Sequence, residues 1–600
     1  MLDIQTLRTT RKHDAIAIGS HKGIMQSMLD FEFLAGYTEP SLKAIISTGT
    51  KYVKLFFGKD EVLIPVFNQL SKLPGDISKN TNFIINTRSA RRVLASTQEA
   101  IDRLPNLLVS VIFAENVPEA HAQQLINLSQ ENNSTIIGPA SIGILVPQRL
   151  KLGAIAGVQA RQLVASQLFE KGETAVFSSS GGMTNELIRS LANVGIHLSF
   201  AVSFGGDRFP AFSPLDGFLA AEKDKETKHI VYFGELGGYD EYELIEHIKK
   251  GDITKPIICY IGGTVAEMFA TPPQFGHAKA MAARGEETAL AKTKALKAVG
   301  VHATTSFSTF TQLVETMITR KSSSKKNTES ESRLKVIEGR KASLFVNSVS
   351  RDVGGSVEIV GSELLKQAQS YSYGNIVMSM LLGKRITSKP LGNFTEFVLK
   401  LVVDHGPYVS GAVNTMVAAR AGKDLVSSLS SGLLTIGPRF GGALNQAAQH
   451  WLTGTITDTT PDEYVESLAR QGKRIAGIGH RKYRSDNPDP RVKPIIAYAT
   501  ILSHHRFIDF ALAVEKITTE KKGNLILNVD GAIAGVLLDL LEQEEQYSPK
   551  DLQELIDIEF FNALFVLGRS VGFTAHYLDQ RRKDEGLFRL SPQEITFTKL

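Results

Sequence analysis

The chain has 600 residues, which is too long for one hydrophobic core and indicates roughly two to four domains. Hydrophobic residues make up 42% and charged residues 22%, as in ordinary globular proteins, and the net charge of +5 is too dilute to suggest a nucleic-acid partner. Cys259 is the only cysteine, which excludes an intramolecular disulfide and a cysteine-rich metal site. Apolar runs are too short for a signal peptide or a membrane span. We therefore expect a cytoplasmic protein without a resident metal.

The first half of the chain alternates short β-branched runs with helical patterns. Most of these runs end in Gly, Ser or Asn directly before a helical pattern, which is typical of α/β domains with buried parallel strands. We predict two such domains in tandem, residues 1–140 and 141–319, with sites beyond the carboxyl ends of their strands. The predicted strands are 15–20, 44–48, 82–87, 108–114, 134–139, 174–180, 198–204, 229–235 and 256–263.

A change of composition separates the two halves. The stretch "RKSSSKKNTESESR" (320–333) is charged and rich in Ser, which predicts a flexible linker over residues 320–339. From residue 340 to residue 600 the apolar positions recur every three to four residues, in segments such as "NFTEFVLKLVVDH" and "HHRFIDFALAVEKITTEKK". We predict an all-α domain here, with no strand.

Three segments of the α/β half could form one anion-binding rim. In "FSSSGGMTNE" a strand leads into a helix through Ser180, Gly181 and Gly182, and such a helix N-terminus can bind phosphate or simply be capped by the serine. Glu235 follows another strand and could orient an imidazole. His277 lies in the turn "FGHAKA", where its small neighbours would let a phosphate reach the ring. Together they suggest a phosphoryl-accepting histidine.

The strings "TIIGPASIGIL", "FSSSGGMTNE", "GELGG", "KPIICYIGG" and "FGHAKA" resemble the α subunit of succinyl-CoA synthetases, and more closely the matching part of the ATP-citrate lyase family. The resemblance implies a Rossmann-like CoA-binding domain (1–140) and a flavodoxin-like CoA-ligase domain (141–319). It implies that His277 carries the phosphoryl group, that Glu235 and Glu115 contact it, and that phosphate and citrate bind near Ser180.

The same resemblance assigns CoA binding to the stretch "LKAVGVHATTS". Its residues are Leu296, Lys297, Ala298, Val299, Gly300, Val301, His302, Ala303, Thr304, Thr305 and Ser306. One departure concerns Lys279, since relatives usually have a small residue there. Its ammonium group could hold a phosphate or face solvent, and we favour the solvent-facing interpretation.

Several polar residues of the helical half lie within otherwise apolar stretches of the sequence. His405, His480 and Asp530 offer acid/base groups, and Asp530 follows the apolar "LILNV", where a carboxylate needs a partner or a chemical role. Arginine binds carboxylates in bidentate fashion and stays charged, so it suits a polycarboxylate substrate. The candidate arginines are Arg481, Arg491 and Arg569.

The strings "GLLTIGPRFGGAL", "GIGHR" and "NLILNVDGAI" resemble the citrate-synthase fold and the C-terminal lyase module of ATP-citrate lyases. By that resemblance His405, His480 and Asp530 are catalytic, and the three arginines hold the citryl carboxylates. His480 would serve the citryl hydroxyl and Asp530 the enolate carbon, or the reverse. Citrate synthases have a His where this chain has Phe440, so His405 is the candidate for the thioester oxygen.

We therefore expect ATP- and CoA-dependent cleavage of citrate to acetyl-CoA and oxaloacetate through phosphohistidine, citryl phosphate and citryl-CoA. No segment resembles an ATP-grasp domain, so a separate ATP-grasp subunit should bind ATP and Mg²⁺. The citrate-synthase-like domain implies self-association, as in a tetramer of heterodimers. Two alternatives stay open: an acyl-CoA synthetase subunit whose helical half condenses, and a non-catalytic assembly subunit.

Overall fold

The computed structural model describes residues 2–10, 13–269, 273–318, 328–437, 440–457 and 459–598. The chain divides into two compact units, Met1–Leu344 and Phe345–Leu600. The first unit is α/β and the second is mainly helical, as predicted. In the described ranges, no helix is long and apolar enough to cross a membrane.

The first sheet of the α/β unit has the strand order β3-β4-β2-β1-β5-β6-β7. All its neighbouring strands are parallel except the hairpin of β3 and β4. Its strands are β1 (Asp14–Ile18), β2 (Leu42–Ile46), β3 (Tyr52–Phe57), β4 (Asp60–Phe67), β5 (Thr81–Asn86), β6 (Val109–Ile112) and β7 (Thr135–Ile137). Its helices are α1 (Ile4–Thr9), α2 (Lys22–Leu34), α3 (Gly75–Asn80), α4 (Val93–Arg103) and α5 (Glu119–Glu131).

The second sheet has the order β14-β13-β12-β10-β11-β8-β9, and its first strand in the chain begins just beyond residue 140. Its strands are β8 (Gly143–Val146), β9 (Leu150–Gly153), β10 (Thr174–Ser178), β11 (Leu198–Ser203), β12 (His229–Glu235), β13 (Ile257–Gly262) and β14 (His302–Thr304). The helices are α6 (Ala160–Ala165), α7 (Gly181–Asn193), α8 (Pro214–Lys223), α9 (Asp240–Lys250), α10 (Ala289–Ala298), α11 (Phe307–Met317) and α12 (Thr328–Glu338).

Every predicted strand of this unit is present, within a few residues of its predicted bounds. The prediction missed β3, β4, β8, β9 and β14, and it was wrong to expect parallel pairing throughout, because β8 pairs antiparallel with both β9 and β11. The missed strands are sheet-edge strands or neighbours of an edge. β3 and β4 are only partly buried, whereas β8 and β9 are buried but only four residues long, so each gives a weak strand pattern.

The predicted linker is wrong over its second part. Residues 328–338 form α12, which packs against α2 and α6 and buries Ser330, Leu334 and Ile337. Arg333 donates a hydrogen bond to the carbonyl of Leu34 over 3.1 Å, which ties the helix to the end of α2. Residues 319–327 lie outside the described residues. The α/β unit continues to residue 344, beyond the predicted start of the helical domain at 340.

The second unit contains the predicted helices, and α22 lies at its centre with buried residues along most of its length. Trp451 is fully buried beside it and donates its indole N–H to the carbonyl of Gly531 over 3.0 Å. The helices are α13 (Leu364–Ser370), α14 (Tyr373–Leu382), α15 (Lys389–Leu401), α16 (Ser410–Arg420), α17 (Leu425–Leu433), α18 (Ala443–Ile456), α19 (Pro461–Arg470), α20 (Val492–Ile496), α21 (Arg506–Lys521), α22 (Val529–Glu544), α23 (Pro549–Asp557) and α24 (Phe560–Lys583).

The prediction of no strand after residue 340 is wrong. A small antiparallel sheet precedes the helices, formed by β15 (Ser350–Asp352), β16 (Val357–Ile359) and β17 (Ser362–Glu363). These strands are two or three residues long and only Ile359 in them is buried, so their sequence carries no buried-strand pattern.

We predict that α12 is held by its buried apolar residues rather than by helix propensity. Replacing Leu334 and Ile337 by serine removes that burial and should increase proteolytic cutting between residues 328 and 338. Fragment masses after limited proteolysis provide the measurement. Val336→Ser is the matched control, since Val336 is exposed on the same helix. Equal cutting of both variants and the parent chain would contradict the docked helix.

Candidate active sites

The first candidate site lies at the carboxyl edge of the second sheet. Parallel strands β11, β10 and β12 are neighbours, and their register pairs Ser178 with both Ser203 and Phe233. Ser180 follows β10 and Glu235 ends β12, so the two predicted segments reach the same edge. Gly206 follows β11 there, and a Cβ atom built on it would lie 2.5 Å from Cδ2 of His277. The backbone of Gly206 therefore supports the imidazole.

His277 and Glu235 form the predicted pair. Nδ1 of His277 lies 2.9 Å from each carboxylate oxygen of Glu235. The carboxylate accepts the Nδ1 proton, so the neutral ring keeps an unprotonated Nε2 that can act as a nucleophile. The hydrogen bond to Glu235 raises the pKa of His277, while burial opposes the shift. The side chain keeps 33% exposure, which leaves the ring accessible.

A buried lysine holds the strand end that carries Glu235. Nζ of Lys292 donates to the carbonyls of Glu235 (3.0 Å) and Gly237 (2.6 Å) and to the Glu241 carboxylate (2.5 Å). Glu241 also accepts the hydroxyl proton of Tyr232 over 2.9 Å. Because the Lys292 charge is fully paired in the interior, it fixes the backbone of β12 without competing for the imidazole.

Lys279 does not face solvent as we favoured. Its side chain is only 8% exposed, and Nζ pairs with Oδ2 of Asp240 at 2.9 Å. Asp240 is the first residue of α9, and its charge helps to raise the pKa of Lys279 against the effect of burial. The ion pair ties the turn that carries His277 to the start of this helix.

The remaining predicted residues of this site have different placements. Ser180 caps α7 by accepting the N–H of Met183 over 3.3 Å, with Gly181 and Gly182 in the first turn. Glu115 is exposed and makes no hydrogen bond with His277 in the described structure, although its charge contributes to raising the pKa of the imidazole. Asp207 was missed by the sequence analysis. It accepts the N–H groups of Asn116 and Val117 at 3.1 Å each and so anchors the loop of Glu115.

The segment predicted to bind CoA forms the end of α10, a turn at Gly300 and the edge strand β14. Leu296, Val301 and Ala303 belong to the hydrophobic core, so their side chains cannot contact a ligand. The exposed positions include Lys297, Gly300 and His302. The prediction therefore holds at most for part of this stretch.

The second candidate site is a cavity of about 280 Å³ in the helical unit. It brings together five of the residues predicted for this half: His405, His480, Asp530, Arg491 and Arg569. Its other lining residues are Val402, Val409, Phe440, Gly441, Asn528, Val529 and Phe565. Phe440 thus lies in the cavity wall, where its ring packs edge-on against Phe565 at 5.8 Å.

Backbone pairing brings His480 beside Asp530. The N–H of Gly479 donates to the carbonyl of Ile526 over 2.7 Å, and the N–H of His480 donates to the carbonyl of Asn524 over 3.0 Å. A Cβ atom on Gly531 would lie 2.5 Å from the carbonyl oxygen of Gly477. Glycine at 531 therefore allows the two segments to approach closely at the start of α22.

Both cavity histidines have an occupied Nδ1. In His480 this atom accepts the N–H groups of Lys482 and Tyr483, each at 3.0 Å. In His405 it faces Nη1 of Arg491 at 3.5 Å. Each neutral ring therefore carries its proton on Nε2 and can donate it to an oxygen of a ligand. Burial lowers the pKa of both histidines, which favours these neutral forms.

Asp530 and Arg569 are the electrostatically unusual groups of the cavity. Burial raises the pKa of Asp530 to about 6, although the charges of Arg569 and Arg491 oppose the shift. Arg569 is 4% exposed and lies over the ring of Phe565, with its guanidinium carbon 4.8 Å from the centroid. Its Nε and Nη1 have no hydrogen-bond partner among the described residues. Buried donors of this kind are available to the oxygen atoms of a ligand.

The structure does not bring one of the predicted arginines to the cavity, and the sequence analysis missed one carboxylate. Arg481 is exposed and does not line the cavity. Asp489 is buried and binds Arg491 through Nε at 3.0 Å and Nη2 at 2.7 Å. An acidic residue two positions before a candidate arginine, in "NPDPR", was the available signal for this pair.

Comparisons with known proteins agree with this division into two chemistries. The family model of the CoA-ligase matches residues 177–302, and that of the citrate synthase C-terminal domain matches residues 273–591. A probable ATP-citrate synthase of Dictyostelium discoideum is 38% identical, over 98% of this chain and 96% of its own length. The ATP-citrate synthase beta chain protein 1 of Oryza sativa subsp. japonica is also 38% identical, over 96% of both chains.

A solved structure gives the same result. The ATP citrate lyase of Methanothrix soehngenii, determined in complex with citrate and coenzyme A, is 33% identical with a TM-score of 0.51, covering 98% of this chain and 97% of its own. Full-length similarity at this level, together with both sites, identifies the family. The chain belongs to the ATP-citrate synthases, also named ATP-citrate lyases.

Proposed function

We propose that this chain cleaves citrate to acetyl-CoA and oxaloacetate, using ATP and CoA, in two stages performed by its two units. The α/β unit forms citryl-CoA and the helical unit cleaves it. The observation that carries the proposal is the cavity of the helical unit, which joins two imidazole donors, a carboxyl group of raised pKa and two arginines. Cleavage of a citryl thioester calls for arginines that bind its carboxylates, a carboxyl group that transfers protons and imidazoles that donate hydrogen bonds to its oxygens.

In the first stage His277 carries the phosphoryl group. Nε2 attacks the terminal phosphorus of ATP and ADP leaves, while Glu235 keeps the Nδ1 proton and stabilises the positive charge on the ring. A citrate carboxylate then takes the phosphoryl group to give citryl phosphate. The N-terminus of α7, capped by Ser180, offers backbone N–H groups for the phosphate. The thiolate of CoA displaces phosphate to give citryl-CoA.

The first sheet offers a site for the nucleotide part of CoA. The strand order changes direction at β1, which lies between β2 and β5, and ligands of open α/β sheets bind beyond such a point. A Cβ atom on Gly19 would lie 2.3 Å from Oγ1 of Thr87, so the ends of β1 and β5 meet closely. Arg88, Arg91 and Arg92 follow directly and suit the phosphates of CoA. CoA would then contact both these arginines and the exposed part of segment 296–306.

In the second stage Asp530 moves the protons and the two histidines hold the oxygens. The carboxylate of Asp530 takes the citryl hydroxyl proton, and the bond from the carbinol carbon to the thioester arm breaks. The hydroxyl oxygen becomes the ketone of oxaloacetate, and the electron pair passes into the acetyl-CoA enolate. His480 donates Nε2–H to the ketone oxygen and His405 to the thioester oxygen. Asp530 then returns the proton to the enolate carbon.

The partners follow from what this chain offers. Relatives named as a beta chain imply a second subunit, and we propose an ATP-grasp subunit that binds ATP and Mg²⁺ and phosphorylates His277. We also propose self-association of the helical unit, extending to a tetramer of heterodimers. Helices α16, α17 and α24 pack together and expose an apolar face. Its exposed members include Val413, Val417, Val426, Leu567, Val571 and Leu578.

A crossed assay tests the two stages. His277→Ala removes the phosphoryl acceptor, so it should abolish labelling from radioactive ATP and ATP-driven citrate cleavage, yet leave cleavage of supplied citryl-CoA unchanged. Asp530→Asn keeps the shape but removes proton transfer. It should slow citryl-CoA cleavage by about 10²–10⁴-fold and leave labelling intact.

Both variants are assayed with the ATP-grasp subunit present, and the parent chain is assayed with and without it. Labelling of the His277→Ala chain would remove His277 as the carrier. Unchanged citryl-CoA cleavage by Asp530→Asn would contradict the helical site. Cleavage of citrate with ATP by the parent chain alone would exclude the need for a partner.

Arg569 should bind a substrate carboxylate. Arg569→Met removes two unsatisfied buried donors, so the melting temperature should rise while KM for citryl-CoA increases by about 10- to 100-fold. Hydrogen bonds to charged groups contribute about 1.5–3 kcal/mol, which corresponds to this range. Arg474→Met, at an exposed position, is the control and should change neither quantity. A lower melting temperature with unchanged KM would mean that Arg569 is structural.

The raised pKa of Asp530 predicts a pH-dependent cost in stability. The folded chain binds the proton of Asp530 more tightly than the unfolded chain, so stability falls as pH rises from about 4 to about 6. Asp530→Asn removes this ionisation. Its melting temperature should match the parent chain near pH 4, exceed it increasingly up to about pH 6, and keep a constant gain above that. A gain independent of pH, like that of any neutral substitution, would contradict the shift.

A further inference from the structure

Asp489 is a buried carboxylate next to the catalytic cavity, but it is not part of the cavity lining. Its side chain has 0% exposure. Oδ1 accepts the backbone N–H and the Nε–H of Arg491, both at 3.0 Å, and Oδ2 accepts from Nη2 at 2.7 Å. The same Oδ2 lies 3.9 Å from Nε2 of His480. One carboxylate therefore lies against two groups that we assign to the cleavage site.

The contact with Arg491 determines how its guanidinium faces the cavity. Nε and Nη2 are both used by Asp489, which is a side-on bidentate arrangement that fixes the plane of the group. The edge that carries Nη1 is left to face His405, whose Nδ1 is 3.5 Å away. A substrate carboxylate can then meet only this edge. Arg491 lies at the N-terminal boundary of the short helix α20. Its guanidinium takes its orientation from the two bonds to Asp489.

Asp489 lies near Nε2 of His480, whereas the backbone hydrogen bonds of that ring are accepted by Nδ1. Nδ1 is occupied by two N–H groups, so the proton resides on Nε2, the atom nearest Asp489. The charged and titratable groups that face this ring are Asp489, Arg491, Lys482, Tyr483 and His405. Asp489 is the carboxylate whose charge acts on the pKa of His480, while Asp530 lines the same cavity. The charge of Asp489 raises the pKa of His480 against the lowering by burial, Arg491 and Lys482.

We propose that Asp489 is a positioning residue for citryl-CoA cleavage, whose buried carboxylate sets the orientation of Arg491 and of the Nε2–H of His480. The inference rests on the proposed cleavage of citryl-CoA. It adds a residue that does not touch the substrate but determines how two substrate-binding groups are presented.

The substitution Asp489→Asn separates these effects from packing, since it preserves shape. The amide has one oxygen for the two guanidinium donors and turns its own N–H₂ toward the other, so Arg491 loses its fixed edge. KM for citryl-CoA should rise by about tenfold or more, and kcat should fall less. Loss of the negative charge should also lower the pKa of His480.

The experiment uses the full chain with supplied citryl-CoA, and compares Asp489→Asn with Asp486→Asn. Asp486 is exposed in the same loop, so it is the matched control. A second readout needs no activity. The pH dependence of His480 modification by diethyl pyrocarbonate, followed by peptide mass spectrometry, reports the pKa of its ring directly. Asp489→Glu should recover part of the parent pH profile, because it restores the charge.

The expected result is a raised KM and a lowered pKa of His480 in Asp489→Asn, with the Asp486→Asn chain unchanged. Equal KM and equal modification profiles in the two variants would overturn the proposal. So would a parallel loss of kcat, folded protein and melting temperature without any shift in the His480 profile. If the parent chain does not cleave citryl-CoA, the proposed function fails, whereas the modification profile still decides whether Asp489 governs His480.

Discussion

The close backbone contact between Gly477 and Gly531 is the constraint on which the helical site depends. A Cβ atom on Gly531 would meet the carbonyl of Gly477 at 2.5 Å, so neither segment could approach the other if side chains intervened. The contact allows residues 477–480 to pair with residues 524–528 and sets His480 beside the first turn of α22. Asp530 thereby enters a region where burial raises its pKa to about 6. Backbone proximity, rather than side-chain attraction, creates the acid/base pair.

The two sites treat charge in opposite ways. Around His277 each buried cation has an acidic partner: Lys292 pairs with Glu241 and Lys279 with Asp240. The imidazole is then the reactive group, with its Nε2 available. In the helical cavity Arg491 is paired with Asp489, whereas Nε and Nη1 of Arg569 have no hydrogen-bond partner among the described residues. Buried donors without a partner are costly in the free protein. A carboxylate ligand would offset that cost, so in the proposed function Arg569 would contribute to binding of the citryl group.

The sequence was sufficient for elements whose pattern is local. Buried parallel strands and long amphipathic helices appeared where predicted, because apolar runs and three-to-four spacing report burial directly. Helix α12 could not be predicted from "NTESESR", since only three of its residues are buried and its order comes from packing against α2 and α6. Motif resemblance located the cavity residues but not their orientation. Arg481 and Arg491 look equivalent in the sequence. In the structure the turn after His480 leaves Arg481 exposed, whereas Arg491 is held by Asp489.

Phe440 supports the proposal that His405 binds the thioester oxygen, since both residues line the same cavity. A phenyl ring cannot donate a hydrogen bond, and this ring packs edge-on against Phe565 in the cavity wall. The wall therefore offers no hydrogen-bond donor at the position where the resemblance to citrate synthases would place a histidine. His405 is the remaining imidazole on that side, and its neighbour Asp404 accepts from His576 at 3.2 Å and from the N–H of Gly406 at 3.0 Å. These bonds fix the backbone that carries His405. In the proposed mechanism, an apolar wall and a separately anchored donor would leave the enolate oxygen dependent on one hydrogen bond, in surroundings where such a bond is strong.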